Sequence, residues 1–411
     1  MFRKWMIWIL AAGWTLFVTA CASSQPTASP TTAPEPGSSQ GAVPAPMTSS
    51  QLPAESSPRG AESEFKTDFS KHNVPYSEIL SGGPPKDGIP PLDRPNFQTV
   101  SEADEWLEDR EPVVFIQVGD DARAYPIQIL MWHEIVNDMV GDESLVVSFC
   151  PLCNTAISFK RTFNPSTGSG QGGQVLDFGT TGRLRYSNLI MYDRQTETWW
   201  QQATGDAIVG EHTGAQLEFY PASIISWNDF KLQYPNGKVL SRETGFTRDY
   251  GRNPYFGYDD ISQSPFLFDG ETPDQLPPMA RVLTVDLSSE AVAYPYEVLE
   301  ELKVINDSVG NEEVVILWAE GTSSALDADN IPAGREVGAA VAYSRVLDTQ
   351  TLTFKFSNGK FLDEQTGSEW NILGQAIAGE LKGRQLLQVV SINHFWFSWA
   401  AFRPETKVYQ P

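Results

Sequence analysis

The residues whose types and spacing best suit chemistry are Cys150 and Cys153, in the stretch SFCPLCNTA. Two cysteines with two residues between them can cycle between dithiol and disulfide, one thiolate attacking and its neighbour resolving the mixed disulfide. The same pair can bind a soft or borderline metal, Zn or Cu, with imidazole completing the shell. A third reading is structural: two small buried residues, or a fixed short-loop disulfide. A single CxxC leaves all three open, because a zinc module normally carries a second pair. The chain has four histidines. His133 is the candidate for lowering a thiol pKa, which makes Cys150, Cys153 and His133 the expected catalytic group. His133 and His212 together would complete a Cys2His2 metal set. No GxSxG, HExxH or phosphate-binding glycine loop accompanies them.

An internal duplication separates these residues from their scaffold. At an offset of 169, AYPIQILMWHEIVNDMVGDESLVV from Ala124 lies over AYPYEVLEELKVINDSVGNEEVVI from Ala293. GDAIVGEHTG from Gly205 lies over GQAIAGELKG from Gly374, and Trp227 falls on Trp396. The globular part therefore reads as a first lobe over 110–240, a connector over 241–280 and a second lobe over 281–411. At matched positions the second copy has Ala319 and Thr322 for the cysteines, Leu302 for His133 and Leu381 for His212. The duplicated fold does not need those four side chains, so they are candidates for function.

The elements that must position them are mostly strands. Val113–Val118 and Val282–Leu287 are β-branched runs bounded by turn residues. SLVVSF and EVVILW fit buried strands. Tyr125-Pro126 and Tyr294-Pro295 each introduce a short run with proline at the first helical position. ISWNDFKLQYP has the apolar spacing of a short helix closed by Pro235, and Asn164–Gly173 reads as a flexible insertion. The expected fold is α+β and β-rich, with two tandem pseudo-repeat lobes. The connector packs Arg242, Arg248 and Arg252 among Tyr250, Tyr255, Tyr258 and Asp249. Arg242, Arg248, Asp249 and Tyr250 are expected either to rim a ligand site or to clamp a loop across both lobes.

Ahead of the lobes, Arg3 and Lys4 precede an apolar run from Trp5 to Phe17, too short to span a bilayer and suited to a signal peptide over 1–20. Val18-Thr19-Ala20-Cys21 resembles a bacterial lipobox, which makes Cys21 the lipidated residue. Ser, Thr, Pro and Ala supply 27 of residues 22–60, so 21–63 reads as a disordered tether. The expected location is the cell envelope, outside the cytoplasm, with the membrane as a partner through the lipid. An unknown redox or metal-transfer protein is the other expected partner. Asp and Glu number 52 against 29 Lys and Arg, a net charge of −23 that repels phosphate backbones and excludes nucleic acid.

The motifs AYP, WHEIVND, SFCPLCNTA, SNLIMYDRQTETWWQ and SRETGFTRDYGRNPYFGYD resemble the domain-of-unknown-function family numbered 3179 of bacteria and archaea. The resemblance covers 110–410. It implies that His133, Cys150 and Cys153 occupy recurring positions. Some members are described as selenoproteins with selenocysteine in the CxxC, which points to redox chemistry. The resemblance places no histidine at His212, which favours His133 with the two cysteines.

Overall fold

In the computed structural model the described residues are 56–411, apart from 166–167, 170–172 and 289. The signal peptide, Cys21, most of the tether and the middle of the Asn164–Gly173 insertion lie outside them. Among the described residues no helix is long and apolar enough to cross a membrane.

The first half begins with a hairpin of β1 (Pro112–Val118) and β2 (Asp121–Pro126), followed by α1 (Ile127–His133). Three antiparallel strands follow: β3 (Ile135–Val140), β4 (Glu143–Cys150) and β5 (Thr155–Lys160). A meander comes next, of β6 (Phe178–Arg185), β7 (Asn188–Asp193), β8 (Trp199–Gln201) and β9 (Ala207–Val209). The half closes with β10 (Ser223–Ser226), α2 (Trp227–Gln233) and β11 (Lys238–Leu240). β10 pairs with β1, and β11 runs parallel to β2.

The second half follows the same order. Its hairpin is β12 (Arg281–Leu287) and β13 (Glu290–Pro295), then α3 (Tyr296–Leu302). β14 (Val304–Val309), β15 (Glu312–Ala319) and β16 (Ala339–Ser344) form the next sheet. The meander is β17 (Phe354–Ser357), β18 (Lys360–Asp363), β19 (Glu369–Trp370) and β20 (Ala376–Ala378). β21 (Ser391–Phe395), α4 (Trp396–Ala400) and β22 (Lys407–Val408) finish it, with β21 on β12 and β22 parallel to β13.

Local chemistry explains the boundaries. β4 is an inner strand of a four-stranded sheet and is buried on both faces, so it reads as a continuous apolar run rather than an alternating one. Pro126 still pairs with Val113, so its backbone stays extended and α1 starts one residue later. The prolines therefore stand at the N-cap of α1 and α3 rather than inside them, a correction to the expected first helical position. Ser226 caps α2 by accepting from the Asp229 amide.

The two halves share their cores. One apolar cluster joins Val114, Ile129 and Phe149 to Phe395 and Phe397, and a second joins Val113 and Trp227 to Val315 and Tyr343. β10 packs on β16, β21 packs on β5, and β10 meets β21. Residues 64–109, which the lobe boundaries leave out, are also structural. Ile79–Ser81 extends the sheet of β6, and Phe97–Thr99 extends that of β11. From Ser241 to Ala280 the chain has neither helix nor strand.

Candidate functional site

Cys150 ends β4, and Pro151–Cys153 make one turn of 3-10 helix. Asn154 (φ 52°) takes the left-handed conformation that turns the chain into β5. The CxxC is thus the loop of a tight hairpin, with Cys150 paired across to Thr155. Both cysteines are free thiols, 2% and 0% exposed, with their sulfurs 3.1 Å apart.

The surroundings treat the two sulfurs differently. The Cys150 thiol donates to the Cys153 sulfur, which also accepts from Asn188 Nδ2 at 3.3 Å. Asn188 is itself held: its Oδ1 accepts from Gln201 Nε2 (2.6 Å) and the Ala203 amide (3.0 Å). The Ser187 carbonyl lies 3.4 Å from the Cys153 sulfur. Burial first, then the hydrogen bond and charge of Cys153, and then the charge of Glu134 push the Cys150 thiol well above its ordinary value.

Glu134 follows α1 with φ 56° and is 8% exposed. Its amide donates to the Leu130 carbonyl, and its carbonyl accepts from the Phe149 amide, which fixes it beside the end of β4. Among the described residues no hydrogen bond reaches its carboxyl, and burial raises it to about 8. In the second half the matched residue is Lys303, also left-handed (φ 64°), whose ammonium sits 3.8 Å over the Trp318 ring. The two halves share this backbone shape and differ in the charge placed on it.

His133 is not bonded to either sulfur. Its Nδ1 lies 2.7 Å from the Pro90 carbonyl and its Nε2 2.6 Å from the Tyr250 hydroxyl. These partners assign the neutral ring with the proton on Nδ1 and Tyr250 donating to Nε2. Burial holds its pKa below the ordinary histidine value, opposed by the Pro90 bond and helped by the Arg248 charge. The His212 ring packs 4.8 Å from Phe163 and 6.1 Å from Trp200, centroid to centroid. Among the described residues no three His, Cys, Asp or Glu side chains gather as metal ligands. The donor set therefore does not fit Zn, which wants four ligands, or Cu held with imidazole.

His394, from β21 of the second half, reaches the hairpin instead. Its Nδ1 is 2.9 Å from Thr155 Oγ1, which in turn donates to the Cys153 carbonyl at 3.0 Å. Its Nε2 has no partner, and complete burial pulls its pKa down to about 3. Sequence spacing alone could not bring this residue to the site.

The connector packs beside the cysteines. Tyr255 and Tyr258 pack against the apolar cluster that contains them, and the nearby sulfurs help raise both phenols. Its clamp is Asp259, whose side chain is fully buried and pairs with Arg281 and with Arg335 (2.8 Å) while accepting from Ser324. Backbone bonds from Asn253 to Asp329 (2.8 Å) and from Gly257 to Asp327 (2.9 Å) tie the strap to the second half. Of the expected rim residues, Arg242, Asp249 and Tyr250 line a cavity of about 390 Å³ with Glu111 and Arg252. Arg242 binds Gln128 and stacks on Trp106, whereas exposed Arg248 lies over Phe246 and does not line that cavity. A larger cavity of about 730 Å³ lies between the strap and the second half, and its lining contains no cysteine.

Glu134, Asn188, His394 and the packing of Tyr255 and Tyr258 beside the cysteines are absent from the reading of the sequence. Only Glu134 had a visible signal, the reversal of charge against Lys303. No curated protein and no solved structure matches this chain. The family comparison does find a match: the model of a protein family of unknown function, DUF3179, spans residues 86–406, and the chain belongs to that family.

Proposed function

We propose that this chain is an exported, lipid-anchored protein that exchanges its Cys150–Cys153 dithiol with a substrate disulfide. The observation that carries the reading is the hairpin loop with two free, buried thiols 3.1 Å apart. Closing the bond needs only a small approach of the sulfurs, since a disulfide S–S distance is about 2.05 Å. Two cysteine protons and two electrons leave the pair, and the substrate disulfide becomes two thiols. Because both sulfurs are buried, with Tyr255 and Tyr258 packed against their cluster, exchange requires the hairpin to be uncovered, and the strap is the element to lift.

The second half is the scaffold of this reading, a duplicate that lacks the thiols. Repeated details support the duplication. Trp200 Nε1 donates to Asp193 at 2.9 Å and Trp370 Nε1 to Asp363 at 3.0 Å. Tyr125 donates to Asp138 at 2.6 Å and Tyr294 to Asp307 at 2.8 Å. The packing of β10 on β16 has its counterpart in β21 on β5, as an approximate two-fold relation would require.

The test is incubation with glutathione disulfide followed by peptide mapping. The wild type should form a Cys150–Cys153 bond that dithiothreitol reopens. Cys150→Ser and Cys153→Ser should each stop at a mixed disulfide with glutathione. Two thiols that stay unmodified in the folded wild type, yet react once it is unfolded, would contradict the proposal.

A further inference from the structure

We infer that Glu134 is the proton acceptor for Cys150 when the Cys150–Cys153 bond closes. The inference rests on the thiol-exchange reading and names the group that reading lacks. Whichever sulfur first engages the substrate, Cys150 must lose its proton before the ring can close. In the step with Cys153 in the mixed disulfide, the Cys150 proton passes to the Glu134 carboxylate. The Cys150 sulfur then bonds to Cys153, the bond from Cys153 to the substrate sulfur breaks, and the electron pair leaves on that sulfur, which takes up a proton.

Three features of the chain make Glu134 the acceptor. Its backbone is pinned from both sides, by Leu130 and by Phe149, which sets the residue beside the strand end that carries Cys150. Among the described residues no hydrogen bond reaches the carboxyl, although the residue is only 8% exposed, which leaves it open to take a proton. Its charge reaches Cys150 from β4 and Tyr255 from the strap and raises both. Neither imidazole competes: His133 uses both ring nitrogens on Pro90 and Tyr250, and complete burial pulls the His394 pKa down to about 3, too weak a base for a thiol. Acid and thiol need not touch, because a general base can act through one water molecule. A carboxyl that titrates near 8 is matched to a thiol donor far better than one near 4.

The experiment follows ring closure by rapid thiol quenching across pH 5.5–9.5, with glutathione disulfide as the oxidant and the whole chain as wild type, Glu134→Gln and Glu134→Asp. The wild-type rate should rise through an inflection near pH 8. Glu134→Gln should lose that inflection and close about 100-fold more slowly at pH 8, while Glu134→Asp recovers part of the rate. Infrared difference spectra of the wild type across the same pH range should show one carboxyl band that disappears in Glu134→Gln, which keeps the inference testable should a variant fold poorly. An unchanged closure rate and profile in Glu134→Gln, or no carboxyl titrating above pH 7 in the wild type, would overturn the inference. Failure of the wild type to close the bond at all would instead overturn the thiol-exchange reading beneath it.

Discussion

Replacing Glu134 by glutamine should remove a pH dependence of stability that the wild type carries. Burial raises the folded carboxyl from its ordinary 4.5 to about 8, so the folded chain holds this proton to higher pH than the unfolded chain. Stability from this group is complete below pH 4.5 and is lost as pH rises towards 8. At about 1.4 kcal/mol per unit, the loss is about 3 kcal/mol by pH 7, about 4 kcal/mol by pH 8 and about 5 kcal/mol well above it. Glutamine fills nearly the same volume without a charge to desolvate. The assay is urea unfolding of both proteins, kept reduced, at pH 5 and pH 8. The groups common to both, including His133 and His394, cancel in the comparison. The stability of Glu134→Gln relative to wild type should improve by about 3–5 kcal/mol between the two pH values. A difference that stays flat within about 0.5 kcal/mol would refute the assignment of Glu134 as a buried, unpartnered acid.

Other changes probe the cover and the scaffold. Asp259→Ala leaves Arg281 and Arg335 without their shared partner and should cost about 3–5 kcal/mol. If the strap is the cover, the same variant should also speed alkylation of Cys150 and Cys153 under native conditions, read by mass spectrometry. Asp193→Ala and Asp363→Ala each strand a buried tryptophan N–H, and in thermal unfolding each should cost about 1–3 kcal/mol. His212→Leu installs the residue that the second half carries at the matched position. It should leave thiol reactivity unchanged and shift stability by less than about 1.5 kcal/mol, whereas a metal-ligand role would make it disruptive.

Much of the scaffold was legible because it is local. The β-branched runs, the Tyr-Pro entries to α1 and α3 and the capped α2 are written in neighbouring residues. The self-match also separated Cys150 and Cys153 from their frame. The rest of the site depends on long-range packing. Pro90 and Tyr250 claim the His133 ring from 43 residues before it and 117 after it, so a histidine that suits a thiol pair by type serves elsewhere. His394 arrives beside Thr155 from 239 residues away. The connector's tyrosines pack beside the cysteines because Asp259 is anchored in the second half, which composition alone does not reveal. Glu134 becomes unusual only through burial, although its exchange for Lys303 at a matched position was open to view.

The most direct test of thiol exchange is a redox titration of the whole protein in glutathione buffers, with the Cys150 and Cys153 states read by alkylation mass. A single reversible two-electron transition is predicted, the two thiols disappearing together and returning together. Thiols that persist through the most oxidising buffer, or that oxidise one at a time to separate glutathione adducts, would contradict it.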